Sequence, residues 1–248
     1  MSRLFPDPPR PAWSLSLCSA AGEAGGSFQS ARREPVVYVP PGSSADPERS
    51  RGEAARRAKS KARRFVVANG LNRLGTLTYA GAGCFDLEEV AADVGGFFRR
   101  MRERLGGAAL PYLWVREWHP KGHGLHVHFG VNRYVRRSLI EDAWGRGFVH
   151  IKTLTDLPIG SASRAESRKV AGYLGKYIAK TFEDSLGGVH RYEVAQGFTP
   201  EVVRFAGSSM ESVLRQAVER MGAPPQHRWS SADREGWDRP PAVWFQWA

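Results

Sequence analysis

The chain has 248 residues, 42% of them hydrophobic, so it is long enough for one sizeable core or two small ones. Its formal net charge of +11 is poorly explained by folding alone and indicates a polyanionic partner, either nucleic acid or a membrane surface. No apolar run approaches the roughly 18–20 residues that span a bilayer, which argues against a transmembrane protein.

Cysteine usage and the composition near the N-terminus bear on the cellular compartment. Cys18 and Cys84 are the only cysteines, and they lie far apart without CxxC spacing. A disulfide framework or a cysteine zinc site is therefore not expected, and a reducing cytoplasm fits best. The mildly apolar segment 12–21 is short and broken by serines, which makes it a poor signal peptide.

The first seventy residues fall into two regions of different composition. Residues 1–48 are rich in Pro, Gly, Ser and Ala without a sustained period, and they predict a mostly disordered arm. Residues 49–70 are rich in Ala, Arg and Lys, and they predict a basic helix that either presents a solvated face or contacts phosphates. In the second case the DNA-binding side chains are Arg56, Arg57, Lys59, Lys61, Arg63 and Arg64.

Strands and helices alternate from residue 74 onward. In chain order the patterns predict a strand at 74–79, a helix at 86–105, strands at 112–118 and 125–131, a helix at 136–144, a strand at 148–154, a helix at 165–182, a strand at 190–194 and a helix at 210–221. This order favours an α+β fold with a ferredoxin- or RRM-like central antiparallel sheet and helices packed on one face. We assign residues 71–205 to this domain, and 206–248 to a C-terminal helix with a Pro- and Trp-rich tail.

The predicted strand Leu125–Val131 alternates apolar residues with histidines. Its apolar positions face the core, so His126 and His128 project together from the other face. Histidines satisfied inside the core are disfavoured, because the core side is already occupied. Two imidazoles at this spacing can chelate a metal ion. His119 and His123 lie in the preceding turn and are expected to be exposed or to face DNA.

Glu117 ends the preceding strand and is the candidate third ligand. If the hairpin pairs Glu117 with His126, the carboxylate shares the face of the two histidines, whereas a slip of one residue removes it. The set of Glu117, His126 and His128 leaves open coordination positions, as catalytic metal sites do. Mixed nitrogen and oxygen donors suit Mn²⁺ or Mg²⁺ in a phosphate enzyme, or Zn²⁺ in a hydrolase.

The segment Lys169–Lys180 contains Tyr-x-x-Lys twice in succession. On a helix Tyr173 and Tyr177 project on one side, where they either border the apolar stripe or act as nucleophiles. Beside a bound metal ion a phenol can attack a phosphodiester, and Lys176 or Lys180 can stabilise the developing charge. Two adjacent tyrosines would allow one transesterification to cut a strand and another to rejoin it.

Three segments resemble, in order, the motifs of the HUH endonuclease superfamily and, within it, the rolling-circle replication initiators of plasmids and phages. They are Thr76-Leu-Thr-Tyr79, His126-Val-His128, and the two-tyrosine segment 173–180, which is similar to that of phage-type replication proteins. The resemblance covers about residues 70–200. It implies an HUH nuclease fold, a divalent metal (Mg²⁺ or Mn²⁺) on the paired histidines, and a 5′-phosphotyrosine intermediate with a free 3′-hydroxyl.

The resemblance also implies partners. These are single-stranded origin DNA, a host polymerase and, since the sequence contains no G-x-x-x-x-G-K-[ST] loop, a host helicase. Lys169 and His123 join the basic helix as expected DNA contacts. A transposase or relaxase of the same superfamily, or a DNA-binding replication protein without catalysis, is the alternative. Relaxases usually carry three histidines in a different motif order, and small transposases usually carry one tyrosine.

Overall fold

The structure is a computed structural model that describes residues 12–30, 40, 43–152, 163–183 and 190–248. The chain divides into two compact units. The central unit is Ala45–Thr199, and the terminal unit combines Met1–Ser44 with Pro200–Ala248.

The helices and strands alternate along the chain much as predicted. They are β1 Ala12–Cys18, β2 Glu23–Gln29, α1 Pro47–Ala68, β3 Arg73–Tyr79, α2 Leu87–Arg104, β4 Tyr112–Trp118, β5 Leu125–Val131, α3 Arg137–Trp144, β6 Gly147–Lys152, α4 Arg164–Glu183, β7 Glu193–Val194, β8 Val203–Gly207, α5 Met210–Met221, β9 His227–Ser230 and β10 Ala242–Gln246. The predicted strand at 190–194 is reduced to the two residues of β7. The last two residues of the predicted strand 148–154 lie outside the described residues.

The central unit contains a five-stranded sheet in the order β6-β3-β5-β4-β7. All four neighbouring pairs are antiparallel. The α+β class and the central antiparallel sheet are therefore confirmed.

Helices lie on both faces of this sheet, so the prediction of helices on one face is wrong. Helices α2 and α3 cover the core face, where the ring of Phe129 meets that of Phe97 edge-on at a centroid distance of 5.5 Å. On the other face, a Cβ atom added to Gly130 would lie 3.3 Å from the side chains of Val170 and Leu174. Because Gly130 has no side chain, α4 can approach the face that carries the histidines.

Carboxylate caps define where the first two helices begin. The Asp46 carboxylate accepts a hydrogen bond from the backbone N–H of Arg49 at 2.9 Å, and a proline follows Asp46 at the first helical position of α1. Asp86 accepts hydrogen bonds from the backbone N–H groups of Glu88 and Glu89 at 2.7 and 2.9 Å. The start predicted for the second helix is confirmed.

Helix α1 is the predicted basic helix, and it packs against α4. Its buried residues are Ala62, Phe65, Val66 and Val67. The basic residues occupy the rest of the helix surface, and the side-chain stem of Lys59 lies against Gly175 of α4. The basic helix is therefore part of the central unit and supports the helix that carries the tyrosines.

The terminal unit contains a second antiparallel sheet, in the order β8-β1-β2-β10-β9. Helix α5 packs on one face of it. The core between them consists of Leu15, Leu17, Ala24, Val213, Ala217, Val243, Phe245 and Trp247.

The prediction of a disordered arm at 1–48 is wrong for residues 12–29, which form β1 and β2. The period-two alternation of Trp13, Leu15 and Leu17 with serines was present in the sequence, but β2 carries mostly Glu, Ala, Gly and Ser. The partners of these two strands lie almost two hundred residues later, in β8 and β10. The other residues of the arm, 1–11, 31–39 and 41–42, lie outside the described residues.

The boundaries predicted for the main domain and the tail need correction for the same reason. Residues 203–207, most of them assigned to the main domain, form β8 of the terminal sheet. The helix predicted after residue 206 is α5, but the Pro- and Trp-rich tail contributes two strands to the terminal sheet instead of docking as an irregular segment. The apolar residues of β10 alternate with period two, as buried strands require.

Candidate active site

The register of the central strands places two threonines beside the two histidines. Thr76 of β3 lies directly opposite His128 of β5, and Thr78 lies opposite His126. Directly opposed residues of an antiparallel pair point to the same face of the sheet. The shared face predicted for His126 and His128 is therefore confirmed, and the threonines of the first motif join them there.

Each threonine contacts the nearer nitrogen of its histidine. Thr76 Oγ1 lies 2.9 Å from His128 Nδ1, and Thr78 Oγ1 lies 3.4 Å from His126 Nδ1. A hydroxyl can donate or accept a hydrogen bond, so each threonine can orient its ring in either tautomer. His126 Nε2 is buried and has no hydrogen-bond partner in the described part of the chain. Such an orphaned nitrogen is rare and is available to a ligand.

Burial keeps both imidazoles neutral at neutral pH. Desolvation, together with the neighbouring rings of His119 and His128, lowers the pKa of His126 to about 4. Desolvation also lowers the pKa of His128, although the hydrogen bond to Glu117 opposes this effect. A neutral imidazole keeps a lone pair on one nitrogen, which is what a metal ligand needs.

Glu117 lies opposite His126 in the pairing of β4 with β5, so the hairpin register predicted from the sequence is confirmed. Its side chain is 13% exposed and bridges two groups. One carboxylate oxygen accepts a hydrogen bond from His128 Nε2 at 2.8 Å, and the other accepts one from Lys180 Nζ at 2.6 Å. Glu117 therefore connects the histidine strand with α4.

Helix α4 brings both tyrosines to the histidine pair. The ring of Tyr177 stacks on the ring of His128, with 3.7 Å between centroids and 18° between planes. The ring of Tyr173 lies edge-on to His128 at 6.2 Å. The hydroxyl of Tyr177 donates a hydrogen bond to the hydroxyl oxygen of Tyr173 at 2.9 Å. Because both phenols are half-buried beside the histidines, the helix places two potential nucleophiles in one site.

The two phenols differ in their surroundings. Burial raises the pKa of Tyr177 well above its ordinary value, and the hydrogen bond to Tyr173 raises it further. Tyr173 receives that hydrogen bond, which favours its ionised form. Lys180 Nζ lies 5.5 Å from the centre of the Tyr177 ring, while Lys176 is exposed on the same helix. Tyr173 is thus the phenol whose oxygen is better prepared to act as a nucleophile.

Strand β6 adds side chains that the sequence analysis missed. Lys152 Nζ lies 4.0 Å above the centre of the Tyr173 ring. His150 and Phe148 precede it on the same face of β6, opposite Thr76 and Thr78. The period-two alternation of Phe148, His150 and Lys152 with apolar residues could have revealed them, but only the pairing of β6 with β3 locates them beside the histidines.

The donor atoms can be compared with what a divalent ion requires. In the described part of the chain, no three His, Cys, Asp or Glu side chains form a group that could hold a metal ion as they stand. Two observations nevertheless fit an ion. His126 Nε2 is buried and unpartnered, and His128 Nε2 lies 2.8 Å from a Glu117 oxygen. Neighbouring ligands of an octahedral Mg²⁺ lie about 3 Å apart, since each binds at about 2.1 Å.

The turn histidines are closer to the site than expected. The ring of His119 stacks on that of His126 at a centroid distance of 4.3 Å, and its Nδ1 accepts a hydrogen bond from the backbone N–H of Lys121. His123 is half-buried, and its Nε2 lies 3.1 Å from the carbonyl oxygen of Tyr79. His123, predicted to contact DNA, has a structural contact that joins the turn to the end of β3.

The predicted DNA-binding residues of α1 are mostly at the surface. Arg56, Arg57, Lys59 and Lys61 are exposed, and Arg63 and Arg64 are half-buried. Arg56 and Arg57 lie 3.7 and 3.8 Å from the carboxylate of Glu53. Exposed pairs of this kind are weak, so they leave the arginines available to phosphates. Lys169 is exposed near the start of α4.

The class defined by this arrangement is an antiparallel α+β unit with paired histidines that face a tyrosine-bearing helix. Residues 72–182 match a family model described as replication-associated protein, of the ORF2 type. The match begins just before β3 and ends within α4, so it includes the histidine pair and both tyrosines, although it covers fewer than half of the 248 residues. It supports a role in the initiation of replication.

No curated protein and no solved structure matches the chain. Both cysteines are free thiols and are buried. Among the described residues, none of the helices combines the length and the apolar character that crossing a membrane requires.

Proposed function

We propose that the protein is a metal-dependent endonuclease and strand transferase that nicks single-stranded DNA at a specific site and starts rolling-circle replication. The observation that carries the proposal is the stacking of Tyr177 on His128 at 3.7 Å, which brings the tyrosine pair to the histidine pair. The match of residues 72–182 to a replication-associated family supports the DNA substrate. The net charge of +11 is consistent with a polyanionic substrate.

His126, His128 and Glu117 would hold a divalent ion, Mg²⁺ or Mn²⁺. Bound there, the ion would act as a Lewis acid that neutralises charge on the scissile phosphate. Thr76 and Thr78 orient the two imidazoles through their Nδ1 atoms.

Tyr173 is the nucleophile of the first cut. Its oxygen forms a bond to phosphorus while the bond from phosphorus to the 3′ oxygen breaks, and the phenol proton ends on the released 3′-hydroxyl. The product is a 5′-phosphotyrosine and a 3′ end that a host polymerase can extend. The hydrogen bond from Tyr177 stabilises negative charge on the Tyr173 oxygen as the proton leaves. Lys180 and Lys176 add positive charge on the same helix.

Tyr177 is placed for a second transfer. Its ring lies 5.1 Å from that of Tyr173, so both phenols lie close to one phosphate-binding position. Once Tyr173 is bonded to phosphorus, it no longer offers a free phenolate to accept the hydrogen bond. Tyr177 is then free to attack a second phosphodiester, which would allow one cut and one rejoining step.

Covalent capture tests this function. Single-stranded DNA fragments tiled across the genetic element that encodes the protein are incubated with it and Mn²⁺, and a covalent protein–DNA band is sought by denaturing electrophoresis. We expect a band that EDTA abolishes and that Tyr173→Phe/Tyr177→Phe loses. Tyr134→Phe is the matched control, because Tyr134 is 72% exposed outside α4, and it should keep the band. A band of unchanged intensity in the double variant would refute the tyrosine mechanism.

A DNA-binding replication protein without catalysis is the second candidate. It is favoured by one observation, namely that the Glu117 carboxylate is already bound by His128 and Lys180. This candidate requires that His126→Ala/His128→Ala leave replication of the element unchanged. Loss of replication with retained DNA binding would instead support the nickase.

A further inference from the structure

Strand β6 carries three side chains on the face of the sheet that bears the histidine pair. Phe148 lies directly opposite Thr78, and His150 lies directly opposite Thr76. Lys152 follows two residues later on the same face, at the end of the strand. Among the described strands β6 is at an edge of the sheet, so these side chains border the site.

Phe148 is the exposed aromatic residue of this row. Its side chain is 69% exposed, although it lies in the same cross-strand row as Thr78, His126 and Glu117. Single exposed apolar residues are common on protein surfaces. This one lies two strands from His126, about 10 Å away at the usual inter-strand spacing. An unburied ring beside a phosphate-handling site is suited to stack on an unpaired base.

Lys152 joins the row to the proposed nucleophile. Its Nζ lies 4.0 Å above the centre of the Tyr173 ring, and the side chain is exposed to solvent. An ammonium group at this distance is attracted to the ring and still has donors for a phosphate oxygen. His150 lies between Phe148 and Lys152 and offers a further polar contact.

We propose that β6 binds the single strand next to the scissile phosphate: the Phe148 ring stacks on an unpaired base, and Lys152 binds a backbone phosphate beside Tyr173. The identity of the strand rests on the proposed function, but the binding itself does not require cleavage. The site takes single-stranded DNA because stacking needs a base with a free face, which a duplex does not offer.

Binding to single-stranded and duplex probes tests the stacking contact. The background is Tyr173→Phe/Tyr177→Phe in EDTA, so that cleavage plays no part, and the probes are a fluorescent oligothymidylate and its duplex with oligoadenylate. Phe148→Ala should weaken single-strand binding about 5- to 100-fold and leave duplex binding unchanged. Tyr134→Ala, which removes another exposed aromatic ring, should change neither affinity. Equal weakening of both probes, or no weakening of the single strand, would overturn the proposal.

Salt titration tests the phosphate contact. Lys152→Gln should reduce the slope of log Kobs against log salt concentration by about 0.7, the value for one phosphate contact on a single strand. Lys152→Arg should restore the slope, since it keeps the charge, and Phe148→Ala should leave it unchanged. A slope that Lys152→Gln does not alter would overturn this part of the proposal. If binding behaves as expected while covalent capture fails, the binding site stands and the nickase function does not.

Discussion

Thr76 lies directly opposite His128, and its hydroxyl oxygen is 2.9 Å from His128 Nδ1. Thr78 has the same relationship to His126, at 3.4 Å. The two hydroxyls therefore act as a pair of orienting groups, each one strand away from the histidine it holds. Partners of this kind fix the ring orientation of metal-binding histidines, and their loss commonly lowers metal affinity about 10- to 100-fold.

Replacing Thr76 by valine tests this orienting role. Valine has nearly the same shape but offers no hydroxyl, so His128 loses the group that fixes its ring. We expect Thr76→Val to weaken Mn²⁺ binding, measured by calorimetry, about 10- to 100-fold. Thr76→Ser keeps the hydroxyl and should retain affinity within a few-fold. Equal affinities for the valine and serine variants would contradict an orienting hydrogen bond.

Gly130 controls how closely α4 approaches the histidines. A Cβ atom there would lie 3.3 Å from Val170 and Leu174, so the larger side chain of Gly130→Val must push the helix away. We expect a loss of about 1–3 kcal/mol in the free energy of unfolding, measured in urea, and a weaker covalent adduct because Tyr177 separates from His128.

Gly172→Ala is the matched control on α4. A Cβ atom at Gly172 meets nothing within 4 Å, so the substitution should stabilise the helix by up to about 1 kcal/mol and preserve the adduct. A Gly130→Val protein that unfolds and reacts like the wild type would show that α4 does not depend on close contact at Gly130.

The charge of α1 should appear in the salt dependence of DNA binding. Arg56 and Arg57 are exposed and interact only weakly with Glu53, so their replacement should not destabilise the fold. For Arg56→Gln/Arg57→Gln we expect the slope of log Kobs against log salt concentration to fall by about 1.4 on single-stranded DNA. Arg215→Gln/Arg220→Gln on α5 removes the same charge elsewhere. Equal slope changes in both double variants would assign the effect to net charge instead of α1.

The hairpin that carries the histidines was the most predictable part of the site. Period-two alternation fixes the faces of β5, and the turn fixes the register of Glu117 with His126. Gly122 and Gly124 adopt φ values of +74° and +73° in that turn, a conformation that favours glycine. At Gly124 a Cβ atom would lie 2.3 Å from the Cys84 carbonyl oxygen. Local sequence was sufficient because the alternation and the turn both lie within a single short hairpin.

Features that depend on distant pairing were not predictable. The strand at 12–18 finds its partners only in β2 and in β8, and β8 lies almost two hundred residues further along the chain. The row of Phe148, His150 and Lys152 has no meaning until β6 pairs with β3. Helices on both faces depend on the missing side chain of Gly130, which periodicity does not register as a contact. Each of these is set by tertiary packing, which overrides local preference.

The most direct test of the account is to identify the residue that becomes linked to DNA. After covalent capture with Mn²⁺, the complex is digested with nuclease and trypsin, and the modified peptide is sequenced by mass spectrometry. The account expects the nucleotide on Tyr173 in the wild-type protein, with adduct yield reduced on the order of 100-fold in Tyr173→Phe during the first turnover. A nucleotide on a residue outside α4, or a full adduct yield in Tyr173→Phe/Tyr177→Phe, would contradict it.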